Sequence, residues 1–437
     1  MPPIFFSLIT FINQNSDLKL LISKMQESND DFWLVGGCLR NSLLNLPQVD
    51  IDIAGSSDPA PLARSWSAEV SGRWFWLDEK RKQCRVLLPS GFTLDFAPLR
   101  ASSIIKDLYL RDFTVNALAL PVDKSFPDSK LLDPLSGINH LQKQQLHSCS
   151  GQSFFDDPLR MLKGIRHAVT LEFEISTETQ KQIISSKHLL SDMAGERIRE
   201  ELSKIFNSER AVKGLELLID TDLLGILFGS AGESWDEETA IAKISLLDEK
   251  INEAGVAAVE NLSALHEADS FSTRAIFLLS QLLNVYLPQD LPGLLHNRLR
   301  LSCQQQRLLN ELQVQPDLEI LSLVGSIEGK RRQALLAERL EPFFFEKILY
   351  WAVCEKRVTL NKAVELQKSF NHERTLGHVP ALLNGKLIST LLGITQGPQI
   401  GKWQEMLKLA EIKGEIDTSL QAENWLKSKL SFDNKEA

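Results

Sequence analysis

The sequence predicts an α+β protein in which an α/β domain at the N-terminus is followed by a body made of helices. Strand-like and helix-like segments are mixed in the first 150 residues. Beyond about Phe154, long segments carry apolar residues at three- and four-residue spacing, which is typical of amphipathic helices. The chain has 437 residues, more than one hydrophobic core usually organises. We therefore expect several domains.

The strands predicted in the N-terminal domain are short, and several alternate apolar with polar residues. They are Phe32 to Val35, Val49 to Ala54, Gln83 to Leu88 and Phe92 to Leu99, with a helix from Cys38 to Leu46 after the first. The helices predicted in the body include Asp156 to Leu171, Glu196 to Phe206, Arg210 to Leu224, Ser272 to Tyr286 and Gln304 to Leu312. Clusters of turn residues at Leu287 to Gly293 and Gly377 to Pro380 separate groups of helices.

Composition and charge are those of an ordinary globular chain. There are 48 lysines and arginines and 57 aspartates and glutamates, so the formal charge is −9. Hydrophobic residues at 43% and charged residues at 24% exclude a disordered or fibrous chain. The five cysteines form no C-x-x-C pair, which argues against a zinc ribbon and favours a reducing, cytoplasmic location. We expect no signal peptide and no membrane partner, because no segment approaches the roughly 20 apolar residues of a spanning helix.

The sharpest local feature is a strand that runs into two glycines and then into a helix. Gly36 and Gly37 let the backbone approach a phosphate closely, and the start of the following helix directs amide donors at it. Arg40 lies on that helix and adds a positive charge. An ordinary turn remains the alternative interpretation of the glycine pair taken alone.

Two carboxylates follow on the next predicted strand. Asp50 and Asp52 are two residues apart, so they project from the same face and can hold divalent cations jointly. An exposed strand end is the alternative for an isolated Asp-x-Asp. The succession of strand, Gly-Gly, helix with arginine and Asp-x-Asp strand is much more specific than any of its parts.

This succession resembles the nucleotidyltransferase superfamily, in particular the class II tRNA nucleotidyltransferase and bacterial poly(A) polymerase family, whose first motif is Gly-Gly-x-x-Arg-Asp followed by Asp-x-Asp. Later segments resemble the second to fifth motifs and the tail of that family, in the order Asp107 to Leu120, Asp133 to Leu141, Phe155 to Arg166, Gly195 to Leu202 and Leu383 to Lys402. The resemblance implies a polymerase β-like head (1–147), a helical neck with a nucleobase-binding motif (148–215), a helical RNA-binding body (216–375) and a helical tRNA-binding tail (376–437).

The resemblance also implies the reaction, which is template-independent transfer of nucleotides to a tRNA 3′ end. Asp50 and Asp52 would bind two Mg²⁺ ions, so that the RNA 3′-hydroxyl attacks the α-phosphate of CTP or ATP and pyrophosphate leaves. Asp95 is the candidate for a third carboxylate. A strand-edge acid or a partner of Arg100 is an equally good interpretation of Asp95.

Nucleotide contacts are assigned to several motifs. The candidates for the triphosphate and ribose are Gly36, Gly37, Arg40, Arg111, Asp112 and Asn116. In the fourth motif, Asp157 and Arg160 are three residues apart on a predicted helix, so a carboxylate and a guanidinium can read a nucleobase edge together. An ordinary ion pair at a helix start is the alternative. Arg166 ends this motif and is also a nucleotide-binding candidate, and the fifth motif places Glu196 and Arg199 on a neck helix.

The sequence departs from the family pattern at three motif positions. Asn41 stands where the family usually has Asp, Leu110 replaces the first Arg of Arg-Arg-Asp, and Asp156 replaces Glu. None of these changes removes an expected metal ligand. Only Ala101 to Lys106 occupies the interval in which enzymes that add C, C and A carry a longer flexible loop. This predicts a CC-adding enzyme that depends on a separate A-adding enzyme.

Candidates for RNA contact outside the head are basic residues of the body and tail. They are Arg298, Arg300, Lys330, Arg331 and Lys402. Solvated helix faces are the alternative for any one of them, and Gly393 to Lys402 is interpreted either as a phosphate-binding hairpin or as a simple turn. Poly(A) synthesis and A-only addition remain alternatives within the family. A catalytically inactive RNA-binding protein is the alternative of another class.

Overall fold

A mixed six-stranded sheet supports the N-terminal part of the computed structural model, which describes residues 6–47, 50–253, 271–314, 323–324, 327–340, 343–355, 379–394 and 397–433. The strands are β1 (Phe32–Val35), β2 (Asp50–Gly55), β3 (Arg73–Asp78), β4 (Gln83–Leu87), β5 (Thr93–Pro98) and β6 (Ala119–Pro121). Their order is β3-β4-β5-β2-β1-β6. Only β2 and β5 pair in parallel within this sheet. The described chain divides into two units, Met1–Gly229 and Ser230–Ala437.

Helices surround this sheet and continue beyond it in the first unit. They are α1 (Phe6–Gln14), α2 (Ser16–Glu27), α3 (Gly37–Leu43), α4 (Ala60–Glu69), α5 (Ile104–Tyr109), α6 (Gly137–Gln142), α7 (Ser153–Asp156), α8 (Arg160–Leu171), α9 (Thr177–Ser186), α10 (Gly195–Phe206), α11 (Ala211–Asp220) and α12 (Leu223–Phe228). The 3₁₀ turns Thr114–Asn116 and Lys187–Asp192 and the two-strand pair β7 (Gln145–Leu146) and β8 (Glu174–Ile175) complete the unit. The predicted α+β class, with a mixed-sheet head followed by helices, is confirmed.

The four predicted strands are present with ends shifted by a residue or so, although Val49 lies outside the described residues. Two predicted helices are wrong because each is interrupted. The segment from Asp156 to Leu171 breaks between α7 and α8, where Asp157 is extended (φ −150°, ψ 100°) and precedes a proline, which disfavours helical backbone. The segment from Arg210 to Leu224 breaks at Asp222, which has φ 58°. Asp157 and Arg160 therefore do not share a helix.

The second unit is helical in the part of it that the structure describes. Its helices are α13 (Glu237–Glu253), α14 (Thr273–Tyr286), α15 (Leu291–Gly293), α16 (Cys303–Gln313), α17 (Lys330–Leu340), α18 (Phe344–Glu355), α19 (Gly385–Leu392), α20 (Pro398–Ile412) and α21 (Ser419–Asp433), with a π-helical segment Leu294–Arg298 after α15. Residues 377–378 and 395–396 of the predicted turns lie outside the described residues. None of the described helices is long and apolar enough to cross a membrane.

The two faces of the sheet are covered differently. On one face, the buried Trp66 of α4 packs against Phe96 of β5 with ring centroids 6.3 Å apart. On the other face, Ile104 and Leu108 of α5 cover Val35 and Ala54 of the inner strands. The carboxylates of β2 and β5 project from this second face, because Asp52 is two residues from Ala54.

The third motif packs against the second through a glycine. The Asp133 carboxylate accepts hydrogen bonds from the amides of Gly137 (2.6 Å) and Ile138 (3.0 Å) at the start of α6. A Cβ atom on Gly137 would overlap the carbonyl oxygen of Thr114. Only glycine therefore lets α6 approach the 3₁₀ turn that carries Asn116.

We predict that Gly137→Ala lowers the free energy of unfolding of the first unit by about 1–3 kcal/mol, because backbone has to move to admit the methyl group. The matched control is Gly151→Ala, since a Cβ there meets nothing within 4 Å. The control should change stability by less than about 0.5 kcal/mol. Urea unfolding followed by tryptophan fluorescence measures both, and equal stabilities for the two variants would contradict the packing argument.

Candidate active site

Pairing between strands brings the predicted carboxylates together. In the parallel register of β2 and β5, Asp52 lies beside Asp95, and Asp50 lies beside Thr93 one row away on the same face. The antiparallel strand β4 adds Arg85 beside Asp95. The row across the sheet therefore reads Arg85, Asp95, Asp52.

The electrostatics of Asp50 and Asp52 favour a cation. Asp50 is exposed, whereas Asp52 is half-buried. Burial and the neighbouring Asp50 carboxylate raise the pKa of Asp52 to about 7, although Arg111 opposes the shift. Within residues 6–47 and 50–253 neither carboxylate forms a salt bridge. Two neighbouring carboxylates without a salt-bridge partner fit the Mg²⁺ preference for one or two protein carboxylates plus water and phosphate oxygens.

Asp95 differs from Asp50 and Asp52 because its charge is neutralised by a salt bridge. Arg85 donates to both of its oxygens, with Nε–Oδ1 at 2.6 Å and Nη2–Oδ2 at 2.7 Å. Arg100 is not its partner, because Arg100 binds Asp107 instead at 3.0 Å. No cluster of three or more histidine, cysteine, aspartate or glutamate side chains arranged to hold a metal occurs among the described residues. The role of Asp95 as a third metal ligand stays a prediction.

Gly36 has a steric reason to be glycine. Its φ of +76° lies in the region that other residues rarely adopt. A Cβ atom at this position would lie 2.9 Å from Oδ2 of Asp52 and 3.4 Å from Nη1 of Arg111. Gly36 thus leaves open the space between a carboxylate and a guanidinium. Gly37 begins α3 directly after it.

Arg40 is held by two amide side chains. Its Nη1 donates to Oδ1 of Asn116 at 2.6 Å, and its Nη2 and Nε donate to Oδ1 of Asn41 at 2.8 and 3.2 Å. Asn116 in turn donates to Asp112 at 3.2 Å. Burial lowers the pKa of Arg40, while Asp112 opposes that shift. Three predicted site residues, Arg40, Asp112 and Asn116, therefore belong to one network.

Asp157 and Arg160 line the same cleft but have different partners. The guanidinium of Arg160 is buried and donates to the carbonyl oxygen of Leu110 at 2.9 Å and to Oγ of Ser153 at 3.0 Å. The carboxylate of Asp157 forms a 3.3 Å salt bridge with Arg197 of α10. Arg160 thus ties the fourth motif to the second, and Asp157 presents a negative charge to the cleft.

A cleft of about 960 Å³ joins these features. Its lining includes six of the predicted site residues, Asp52, Asp95, Arg111, Asp112, Asp157 and Arg160, together with Leu77, Arg81, Gln83, Lys163 and Arg197. The remaining head and neck candidates, Asp50, Gly36, Gly37, Arg40, Asn116 and Arg166, are not among the residues that line it.

Comparison with known proteins identifies the family. Residues 32–147 match the family described as "Poly A polymerase head domain", and residues 172–231 match "Probable RNA and SrmB- binding site of polymerase A". The CC-adding tRNA nucleotidyltransferase of Geobacter sulfurreducens is 32% identical over 419 residues, which are 94% of each chain. The chain belongs to the class II tRNA nucleotidyltransferase and poly(A) polymerase family.

Two further comparisons show lower sequence identity. The CC-adding tRNA nucleotidyltransferase of Synechocystis sp. is 28% identical over 401 residues, covering 89% of this chain and 91% of that one. The solved structure of the Thermotoga maritima CCA-adding enzyme complexed with tRNA has a TM-score of 0.67 at 22% identity and covers 98% of each chain. This likeness establishes the shared fold. Members of this nucleotidyltransferase family generally use divalent metal ions.

Arg197 and Arg85 are site residues that the sequence does not predict. The resemblance to the fifth motif predicts Glu196 and Arg199 on this helix, but it is Arg197 that pairs with Asp157. Spacing along one helix gives no signal for this, because the contact depends on how α10 packs against the loop before α8. Arg166, a predicted nucleotide contact, donates to Glu201 of α10 at 2.7 Å, and its nucleotide role stays a prediction.

The basic RNA-contact candidates lie in the second unit. Arg331 forms a salt bridge with Glu411 and donates to the carbonyl oxygen of Pro380 at 2.7 Å, so it joins α17 to the residues around α19 and α20. Lys330 begins α17, and Lys402 is an exposed residue of α20. Arg298 ends the π-helical segment, and Arg300 has φ 47°. Their contact with RNA stays a prediction.

We predict that Asp52→Asn raises the free energy of unfolding at pH 8 in EDTA by about 1 kcal/mol or more. Because the pKa of Asp52 is higher in the folded than in the unfolded protein, the folded state loses stability as the pH rises from the unfolded pKa to about 7. Above pH 7 the whole cost of the ionised, buried carboxylate is present. The control is Asp30→Asn, at an exposed position outside the cleft. Added Mg²⁺ should stabilise the wild type more than Asp52→Asn. Lower stability of Asp52→Asn in EDTA would contradict the charge argument.

Proposed function

We propose that this protein adds two C residues from CTP to the 3′ end of tRNA without a nucleic-acid template. The observation that carries the proposal is that Asp50 and Asp52 share one face of β2, Asp52 lies beside Asp95 of β5, and Asp157 lines the same cleft as Asp52 and Asp95. The 32% identity to a CC-adding tRNA nucleotidyltransferase over nearly the whole chain supports the substrate class.

Asp50 and Asp52 would hold two Mg²⁺ ions, which would activate the RNA 3′-hydroxyl and stabilise the negative charge of the triphosphate. The chain's own cations add to this, since Arg111 lies beside Asp52 and Arg40 is fixed by Asn41 and Asn116. The 3′-hydroxyl oxygen forms a bond to the α-phosphorus, and the bond to pyrophosphate breaks. No covalent intermediate with the protein is required.

Selection of the nucleobase is assigned to Asp157 and Arg160. The exocyclic amine of cytosine is a donor, which suits the Asp157 carboxylate, and a guanidinium suits the ring acceptors. The salt bridge between Asp157 and the half-exposed Arg197 is of the weak, solvent-screened kind, so a bound base can replace it at little cost.

The short connection before α5 supports CC addition over CCA addition. Arg100 is fixed at one end, where its backbone amide and its guanidinium both bind Asp107. Ser103 caps α5 by accepting a hydrogen bond from the Lys106 amide. The interval that would carry a long loop is thus closed by local hydrogen bonds. A separate A-adding enzyme would complete the tRNA end, and the predicted cytoplasmic location is compatible with that role.

The decisive experiment is incorporation on a tRNA transcript that ends at the discriminator base, resolved to single nucleotides. We predict that CTP alone adds two residues and that ATP never follows. Asp50→Asn and Asp52→Asn should lose activity by at least about a hundredfold while they keep tRNA binding, and Asp30→Asn should remain active. Formation of CCA with both nucleotides would overturn CC-only addition. Binding of tRNA without any incorporation would instead favour an inactive RNA-binding protein.

A further inference from the structure

The edge strand β3 shows bulky apolar side chains to solvent on one side only. Trp74 and Trp76 point to the side covered by α4, where the guanidinium of Arg64 lies 5.3 Å from the Trp74 ring. Phe75 and Leu77 point to the opposite side and are 43% and 47% exposed. Large exposed apolar side chains in neighbouring positions commonly mark a binding surface.

This exposed side is continuous with the active-site row. Phe75 pairs with Arg85 in the register of β3 and β4, Arg85 pairs with Asp95, and Asp95 pairs with Asp52. Neighbouring strands are about 4.8 Å apart, so the Phe75 backbone lies about 14 Å from that of Asp52. Leu77 and the adjacent turn residue Arg81 line the same cleft as Asp52.

Beyond the active-site row, the far end of this sheet face packs against α5. Val35 of β1, Ala54 of β2 and Ala119 of the other edge strand, β6, are buried in one cluster with Ile104 and Leu108 of α5. The nucleobase motif, with Asp157 and Lys163, lines the cleft from the helical side. An incoming nucleotide held there leaves the β3 side of the cleft for the other substrate.

Charge on the same hairpin suits a polyanion. Arg73 on the exposed side of β3 forms no salt bridge among the described residues, and Arg81 at the turn has only a loose, exposed ion pair with Asp78 at 3.6 Å, whereas the charge of Arg85 on β4 is taken up by Asp95. Arginines beside an exposed aromatic ring form the usual combination for single-stranded nucleic acid, because the guanidinium groups follow the phosphates and the ring stacks on a base.

We propose that Phe75 is the stacking platform for an unpaired base at the 3′ end of the acceptor RNA, with Leu77, which lines the cleft, extending the platform along β3. The platform would hold the end of the strand so that its 3′-hydroxyl lies at Asp50 and Asp52. This inference rests on the proposed function, since it assigns the binding surface for the second substrate of that reaction.

The test combines Phe75→Ala with acceptor RNAs in which one of the last three nucleotides is abasic. Loss of one stacking contact weakens RNA binding about tenfold. We therefore expect Phe75→Ala to raise the Kd and the KM for tRNA about tenfold and to leave the KM for CTP unchanged. Phe75→Trp should restore binding. Leu20→Ala removes an exposed apolar side chain of α2 and is the matched control. An unchanged melting temperature for Phe75→Ala shows that the fold is intact.

The double-mutant cycle separates stacking from an indirect effect. If Phe75 stacks on a base, one abasic RNA binds the wild type about tenfold more weakly but binds Phe75→Ala with no further loss. Equal losses for both proteins with every abasic RNA, or an unchanged Kd for Phe75→Ala, would overturn the proposal, as would a dimer that Phe75→Ala dissociates. Fluorescence anisotropy measures these Kd values without turnover, so failure of the proposed reaction is distinguished from failure of the platform.

Discussion

The parallel pairing of β2 with β5 is the constraint on which the catalytic face depends. Its register puts Asp52 beside Asp95, and the antiparallel pairing of β4 then puts Arg85 on the far side of Asp95. Arg85 neutralises the charge of Asp95 but does not relieve the repulsion between Asp50 and Asp52. The buried packing of α4 on the opposite face, centred on Trp66, stabilises the sheet against this repulsion. Such a cost in stability is typical of a site that a cation completes.

A second constraint sets the distance between the carboxylates and the nucleobase motif. The guanidinium of Arg160 is nearly buried and donates to the carbonyl oxygens of Leu110, Arg111 and Ser153. A buried cation needs such partners, since an unsatisfied one would be very costly. These bonds join α8 to the segment that carries Arg111 and Asp112. Asp157 is consequently positioned over the cleft by the same backbone that positions the triphosphate candidates.

Local patterns in the sequence predicted more of the fold than of the site. Alternating strands and the Asp-x-Asp pair were predictable, because both depend on the two-residue period of a strand. The predicted helix across Asp157 is wrong because the apolar spacing favours a helix there, whereas Pro158 disfavours helical backbone at the residue before it. β3 was missed since its aromatic residues on both faces hide the alternation. The pairs Arg85–Asp95 and Asp157–Arg197 join different elements, so no spacing along the chain could reveal them.

The departures from the family pattern do not require an inactive site. Asn41 replaces an acid, yet its Oδ1 accepts two hydrogen bonds from Arg40 and so fixes the guanidinium without neutralising its charge. Leu110 replaces an arginine, but its carbonyl oxygen is what Arg160 and Arg100 bind, and any residue supplies a carbonyl. The 37% exposed Leu110 side chain lines the cleft. At both positions the chain therefore keeps hydrogen bonds that fix Arg40 and Arg160 while it lacks the charge of the family's usual residue.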